Sequence, residues 1–345
     1  MKGRISLRVT IKDVARACGI SAATVSLVLN DRECRVSEAT RAKILKTAAE
    51  MNYRPNHLAV GLVTKKTKTI GLIVPDVGNF HFAEMSKAIE QECRNNGYIV
   101  ILGSYGKSDE QAFAYFKEFI DKGVEGIIFA KPMLVELSET DRQCFSLAES
   151  ANVPVVTFEP VAVSAKVGVV SYDYEAGGYL ATKHLIDLGH RRIGCLTGPG
   201  NMISSIARTE GYKKALAEAD LPFDPSLLYE GDFAVQSGAE ALPHLLGQGV
   251  TALFTFNDMM ALGVYKAARQ YKLKIPTDLS IVGFDDTFLN EILEVPLTSV
   301  THPADCLGEE SAKRMLSLIN GDSSYEGNLF PPTLMVRASS VRLSH

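Results

Sequence analysis

Thr10-Ile11-Lys12-Asp13-Val14-Ala15-Arg16-Ala17-Cys18-Gly19-Ile20-Ser21-Ala22-Ala23-Thr24-Val25-Ser26 reads as helix, tight turn, helix. Thr10 followed by Asp13 makes a capping box with the shorter acid at the first helix start. Val14 and Ala17 supply an inward face, and Gly19 tolerates the left-handed backbone of the turn. Ser21 caps a second helix that runs to about Leu29. Val25, Val28 and Leu29 pack inward on this reading, which turns Ala22, Ala23, Ser26 and Leu27 outward. Asn30 closes that helix, and Ser37 caps a third with Ile44, Leu45 and Ala48 on its buried side. A pair of helices joined in this way can stand its second member in the major groove of DNA.

The charge distribution agrees. Through residue 68 the chain carries fourteen Lys and Arg against five Asp and Glu, whereas the remainder carries twenty-two against thirty-five. The overall charge of -4 therefore hides a basic arm on an acidic body, the electrostatic footprint of phosphate-backbone binding. The length of 345 residues calls for two or three compact units. Cysteines at 18, 34, 93, 144, 195 and 306 include no Cys-x-x-Cys pair, which fits isolated thiols in a reducing cytosol. The charged start Met1-Lys2-Gly3-Arg4 is unlike a signal peptide. No apolar run approaches the roughly eighteen residues a membrane span needs. The expectation is a cytoplasmic protein with no membrane partner.

The arm closely resembles the lactose/galactose repressor (LacI/GalR) family of bacterial transcription regulators. The matching residues are Thr10-Ile11-x-Asp13-Val14-Ala15, Gly19-Ile20-Ser21-x-x-Thr24-Val25-Ser26-x-Val28-Leu29-Asn30, Val36-Ser37-x-x-Thr40-Arg41 and Tyr53-Arg54-Pro55-Asn56. The resemblance implies phosphate contacts at Thr10, Ser21, Ser26, Asn30 and Tyr53, and base reading at Ala22, Ala23 and Leu27. Thr24, Asn56 and Ala59 join the implied DNA-binding set. Leu27 stands where the family usually has an Arg that would reach a guanine edge. With Ala22 and Ala23 beside it, contact with thymine methyls is expected instead. The loop Asp31-Arg32-Glu33-Cys34-Arg35 is a residue longer than the common form, and Arg35 is a candidate compensating contact.

Pro55 to Val63 follows, with Leu58 and Leu62 one turn apart and Gly61 inside. So short a segment does not hold a helix alone. By resemblance it is the family's hinge helix, which orders when two copies pair over the operator centre and wedges Leu62 into the minor groove. Lys65, Lys66 and Lys68 make a basic linker after it.

From Thr69 onward, short apolar runs such as Ile70-Gly71-Leu72-Ile73-Val74, Gly126-Ile127-Ile128-Phe129 and Val153 to Thr157 alternate with helical stretches. The series restarts at Val167-Gly168-Val169-Val170 and continues through Ile193 to Leu196, Ala252 to Thr255 and Ser280 to Gly283. Continuous apolar strands with helical crossovers predict parallel sheets covered on both faces. Two series predict two lobes, with a ligand beyond the carboxyl ends of the strands.

The expected fold is α/β: a three-helix helix-turn-helix domain at 9–54, a hinge helix and linker at 55–68, and a two-lobed domain at 69–345 resembling the type I periplasmic sugar-binding fold. The family's crossings put the first lobe at about 69–163 plus 298–328 and the second at about 164–294 plus 331–345. Gly189-His190-Arg191-Arg192-Ile193-Gly194, Arg208-x-x-Gly211-Tyr212, Asn257-Asp258-x-Met260-Ala261-Leu262-Gly263 and Ser280 to Asp286 extend the resemblance over nearly the whole chain. Carried over by motif, the effector set is His81, Phe82, Asp173, Ser204, Arg208, Phe233, Asn257, Asp285 and His302. Carboxylate, guanidinium and amide groups pair with sugar hydroxyls, and Phe82 and Phe233 can stack on a sugar face. A small sugar, sugar phosphate or polyol is expected. Met202 stands where purine-responsive relatives carry Arg, which weakens a purine reading.

Together these features predict a repressor that binds double-stranded palindromic operator DNA as a homodimer, with the helix from Phe82 to Cys93 on the contact face. No leucine heptads follow Val336 to suggest a larger assembly. The alternative, a cytoplasmic sugar-binding protein without operator binding, leaves the basic arm unexplained, as does a transporter's solute-binding protein. An enzyme reading finds no Gly-x-Gly-x-x-Gly after a strand, no Walker sequence, no His-Glu-x-x-His and no nucleophile elbow. No cofactor, catalytic residue or metal site is expected.

Overall fold

The computed structural model describes residues 9–29, 33–53, 66–161, 163, 166–322 and 330–343. The chain divides into two compact units, one through residue 67 and one from 68 onward. In the first, helices α1 (Ile11–Cys18), α2 (Ala22–Leu29) and α3 (Glu38–Glu50) surround a small core. Val14, Val25 and Ile44 are fully enclosed there, with Ala15, Cys18, Val28 and Ala48 around them. The Asp13 carboxylate accepts from both the Thr10 N–H (3.0 Å) and the Thr10 hydroxyl (2.7 Å). Those bonds hold the Asp13 carboxyl below its usual pKa. Gly19 takes φ 70°, and its N–H closes on the last carbonyls of α1. Ser21 Oγ accepts from Thr24 N–H (3.1 Å) and Ser37 Oγ from Thr40 N–H (3.2 Å), so both expected caps form. Lys43 Nζ donates to Cys18 O (3.1 Å), which joins α3 to the end of α1. Leu45, expected inward, is 48 % exposed. Its neighbour Ile44 takes the inward position, and successive helical residues diverge by about 100°.

The second unit has two parallel sheets. The first contains β1 (Thr69–Val74), β2 (Ile99–Ser104), β3 (Gly126–Phe129), β4 (Val155–Thr157) and β5 (Val167–Val169), in the order β2-β1-β3-β4-β5. Helices α4 (Phe80–Asn95), α5 (Asp109–Asp121) and α6 (Glu139–Ser150) cross over between its strands. The second contains β6 (Ile193–Thr197), β7 (Leu228–Glu230), β8 (Ala252–Thr255), β9 (Ser280–Asp285), β10 (Thr298–Thr301) and the antiparallel β11 (Thr333–Met335), in the order β11-β10-β9-β8-β6-β7. Helices α7 (Tyr174–Asp187), α8 (Ile203–Glu218), α9 (Val235–Gly247), α10 (Asp258–Gln270) and the short α11 (Leu289–Ile292) belong to this half. Helix α12 (Ala304–Asn320) returns to pack on α4 and on β3, β4 and β5.

Two strands change lobes relative to the expected boundaries. Val167–Val169 was assigned to the second lobe, yet β5 pairs in parallel with β4. Thr298–Thr301 was assigned to the first, yet β10 pairs in parallel with β9. Neither Val167–Val169 nor the hydroxyl-rich Thr298–Thr301 carries a local signal for one sheet over the other, and only the hydrogen-bonded neighbour decides. The chain therefore crosses between lobes just after β5, just after β10 and again between α12 and β11. The first two crossings carry Asp173 and His302.

Among the described residues no helix is long and apolar enough to cross a membrane. All six cysteines are unpaired. Burial pushes the Cys93 and Cys144 thiols up to about 12, so they pack as small apolar groups.

Candidate functional site

On the arm, Ala23 is exposed and Ser26 and Leu27 are half-buried. Ala22 is half-buried against the core, so it gives the reading face less area than expected. Thr24 joins the Ser21 hydroxyl at 2.8 Å. Arg35 is exposed, and Tyr53 packs partly on the core. The outer surface of α2 is thus small and apolar around Leu27, with cap hydroxyls at its start. Asn30 and the hinge residues Asn56, Ala59 and Leu62 lie outside the described residues.

In the second unit a cavity of about 500 Å³ lies between the two sets of strand ends. His81, Phe82, Ser204, Arg208, Phe233, Asn257, Asp285 and His302 all line it. Asp173 does not. It caps α7, its carboxylate accepting from Ala176 N–H (2.9 Å). Asp is a favoured N-cap because its side-chain oxygen satisfies an otherwise orphaned N–H of the first helical turn.

Each lining group is set by its element. His81 and Phe82 open α4, capped by Asn79, whose Oδ1 accepts from His81 N–H (3.1 Å). Asn257 caps α10 through Oδ1 to Met260 N–H (2.9 Å), while its Nδ2 donates to Phe233 O (3.0 Å). Phe233 and Asp285 adopt φ 63° and 110°. Such left-handed backbone in non-glycine residues is a local strain that surrounding contacts must hold. For Asp285 the hold is visible below it. Buried Asp258 accepts from Thr287 N–H (2.9 Å), Asn290 Nδ2 (2.8 Å) and Ser299 Oγ (2.7 Å). These bonds pin the loop that leaves β9.

The floor is polar but incompletely paired. His302 Nδ1 stands 3.6 Å from Asp285 Oδ1, and the His81 and His302 rings stack at 4.4 Å between centroids, 16° from parallel. His81 Nδ1, His302 Nδ1 and Nε2, and Arg208 Nε are buried without a hydrogen-bond partner. Burial pushes the His81 pKa down to about 3 and that of His302 well below its usual value. Burial likewise raises those of Asp285 and Glu159. The ligand atoms of His81, Asp285 and His302 fall within 4.8 Å of one another. Stacked rings aim their lone pairs along nearly parallel planes, however, and one ion cannot lie in both. The set suits hydrogen bonding to a ligand better than chelation.

Several lining groups had no sequence signal. Lys131 lies between Asp109 (2.7 Å) and Asp141 (2.6 Å). Glu159 accepts from Met133 N–H, and Lys107 of the first lobe pairs with Asp232 of the second. Phe80 meets Phe288 edge to face at 5.1 Å, and backbone bonds Val135 N–H to Asn201 O (3.1 Å) and Ile203 N–H to Met133 O (3.0 Å) also join the lobes. Tyr174, Phe158 and Phe256 add aromatic wall.

A helix-turn-helix unit joined to a two-lobed body with a polar-floored cavity defines a ligand-responsive DNA-binding regulator. The chain belongs to the lacI family of bacterial regulatory proteins, whose profile matches residues 10–56, while a periplasmic binding protein-like domain profile matches 182–340. The HTH-type transcriptional regulator DegA of Bacillus subtilis (strain 168) is 35% identical over 342 residues, spanning 98% of this chain and 100% of that protein. Among solved structures, the lac repressor dimer bound to operator and the anti-inducer ONPF superposes with a TM-score of 0.83 at 29% identity, covering 97% of this chain and 100% of that one. The transcriptional regulator CelR in complex with cellobiose gives 0.70 at 30% identity, covering 96% and 100%. The chain is a DNA-binding transcription regulator.

Proposed function

We propose that the chain is a repressor that binds a palindromic operator as a homodimer and responds to a small polyhydroxylated molecule in the inter-lobe cavity. It acts in the cytoplasm and catalyses no reaction. The observation that carries this reading is the floor of the cavity. Arg208, His81 and His302 present buried polar nitrogens without partners, and such groups are costly unless a ligand completes them. Phe82 and Phe233 on the walls suit the C–H face of a sugar. One solved relative, CelR, holds cellobiose, and the lac repressor holds the anti-inducer ONPF.

Operator contact is assigned to Thr10, Ser21, Ala22, Ala23, Thr24, Ser26, Leu27, Asn30, Arg35 and Tyr53 on the arm, with Asn56, Ala59 and Leu62 in the hinge. Pairing of two copies is supported by the edge strand β2, which leaves Ile99 70 % and Leu102 47 % exposed. Helix α4, the expected contact face, turns Met85, Ile89 and Cys93 into the core and presents Lys87, Glu90, Gln91 and Arg94 outward. The lac repressor is itself a dimer on its operator.

The deciding experiment is a thermal-shift screen of sugars, polyols and their derivatives, with each hit retested for its effect on operator affinity. A ligand that raises the melting temperature and changes operator affinity is the expected result. Ligands that stabilise the protein and leave operator affinity unchanged would overturn the regulatory coupling, since an effector must distinguish two states.

A further inference from the structure

Lys68 is the residue through which the chain enters the body, one position before β1. It takes φ 53°, a left-handed backbone that a non-glycine residue keeps only where surrounding contacts hold it. Three contacts do so. The Lys68 N–H donates to Glu125 Oε1 (2.6 Å), and the Lys68 carbonyl accepts from Ile99 N–H (2.8 Å). The Lys68 ammonium lies over the Tyr98 ring, 4.2 Å from its centre. Glu125 is itself fixed: Oε2 accepts from Tyr98 Oη (3.2 Å), and its N–H donates to Thr69 O (2.8 Å). Tyr98 roots the group in the first lobe, where it is 6 % exposed and packs with Ile70, Ile89 and Cys93. Burial, then the charge of Glu125, push the Tyr98 pKa up to about 12, so its hydroxyl stays a donor.

A tether that only joined arm to body would not need such a corner. The N–H, the carbonyl and the side chain of one residue are all committed. The ammonium, read from sequence as part of a basic linker, is turned onto a ring instead. Its place in the fold gives the corner a use. Thr69 pairs with Ile99 across β1 and β2, so the chain enters beside the first residue of the edge strand, whose Ile99 is 70 % exposed. Tyr98 faces the core and Ile99 faces out, so one step of chain holds both the entry of the linker and the edge assigned to the partner copy.

We propose that Lys68, Glu125 and Tyr98 form a clasp that fixes the direction in which the chain leaves the body toward the arm, and that Glu125 and Tyr98 are positioning residues for operator spacing. This rests on the reading of the chain as a dimeric operator-binding regulator. Once one arm is bound, the second meets its half-site at an effective concentration set by the reach and stiffness of the connection. A fixed exit concentrates the second arm at one spacing, and a loosened exit spreads it over several.

Spacing profiles of the full-length protein test this. The wild type first selects its operator from a pool of random duplexes. The two selected half-sites are then offered at the selected spacing, at one and two base pairs shorter or longer, and singly. The wild type is expected to prefer the selected spacing over the two-base-pair changes by about tenfold or more. Glu125→Ala should bind the selected operator about tenfold more weakly and cut the preference to about threefold or less, with affinity for a single half-site unchanged. Tyr98→Phe keeps the ring beneath the ammonium and loses the bond to Glu125. It should move both readouts the same way by a smaller factor, and it carries the test if Glu125→Ala does not fold. Charge alone predicts the opposite sign, because removing an acid favours binding to phosphates. A Glu125→Ala protein that tightens on every duplex equally, or that matches the wild type in affinity and spacing preference, overturns the clasp and leaves the regulator reading standing. A wild type that selects no paired half-sites, or binds one as tightly as two, sinks the operator reading and the clasp with it.

Discussion

Stacked, buried and unprotonated, His81 and His302 make the folded protein refuse protons that the unfolded chain accepts. The His81 pKa is pushed down to about 3 and that of His302 well below its usual value, so the unfolded state binds more protons below about pH 6.5. Stability is then full above pH 6.5 and falls as pH drops toward 3, each imidazole contributing a slope of about 1.4 kcal/mol per pH unit. Glu159 and Asp285, raised by burial, run the opposite way and are fully protonated in both states only at acid pH. His302→Gln removes one imidazole and neither acid. Urea midpoints between pH 6 and 4.5 should therefore fall less steeply in the variant, and equal slopes would show that His302 is not held neutral. At Leu27 the test is recognition. Selected operators should carry thymine opposite it, and Leu27→Arg should create a guanine preference of about 1–3 kcal/mol there. These residues were legible because motif and position at a strand end or helix start agree. Asp173 was misread because capping and ligand binding use the same acid in the same place. Lys107, Asp232 and Glu159 carried no signal, since only the meeting of two lobes brings them to one cavity.

Helix pairing sets how accurately the cavity groups are held. Helices α7 and α8 touch backbone to backbone at Gly178, where a Cβ would stand 2.3 Å from Arg208 O. Gly178→Ala must push α8 away, and Arg208 with it. Overpacking of this kind costs roughly 1–3 kcal/mol, so the melting temperature and the ligand affinity should fall together. Gly247→Ala, with nothing within 4 Å, is the control and should leave both unchanged or slightly improved. A Gly178→Ala protein with unaltered ligand affinity would separate Arg208 from that helix contact. At this scale the sequence was legible where periodicity is strong. The caps at Ser21 and Ser37, the turn at Gly19 and the main crossover helices form as read. Strands β5 and β10 lie in the other lobe than expected because three or four residues can specify a strand and not its neighbour. Leu45 failed for a related reason: next to Ile44 it matches the same apolar stripe, and the space beneath α3 admits one of the two.

Over the whole molecule, charge and self-association are the properties that link an arm to a body. The arm's basic excess offers phosphate contacts, and one recognition helix reads too few bases for specificity, so two copies on a palindrome are required. The edge strand β2 is the surface best placed to pair them, since its exposed Ile99 and Leu102, one on each face, do not serve the core of their own protomer. Ile99→Asp combined with Leu102→Asp should leave the melting temperature within a degree or two, because both side chains already face solvent. The same substitutions place like charges across a twofold contact, and light scattering should report the mass halved. Each arm would then bind its half-site alone. Operator affinity should fall by at least a hundredfold, and its dependence on salt should become shallower, because fewer phosphates are neutralised per binding event. Ligand binding stays within one protomer and should be unchanged. A variant that remains dimeric would move the interface off β2, and a monomer that keeps full operator affinity would refute the requirement for two arms.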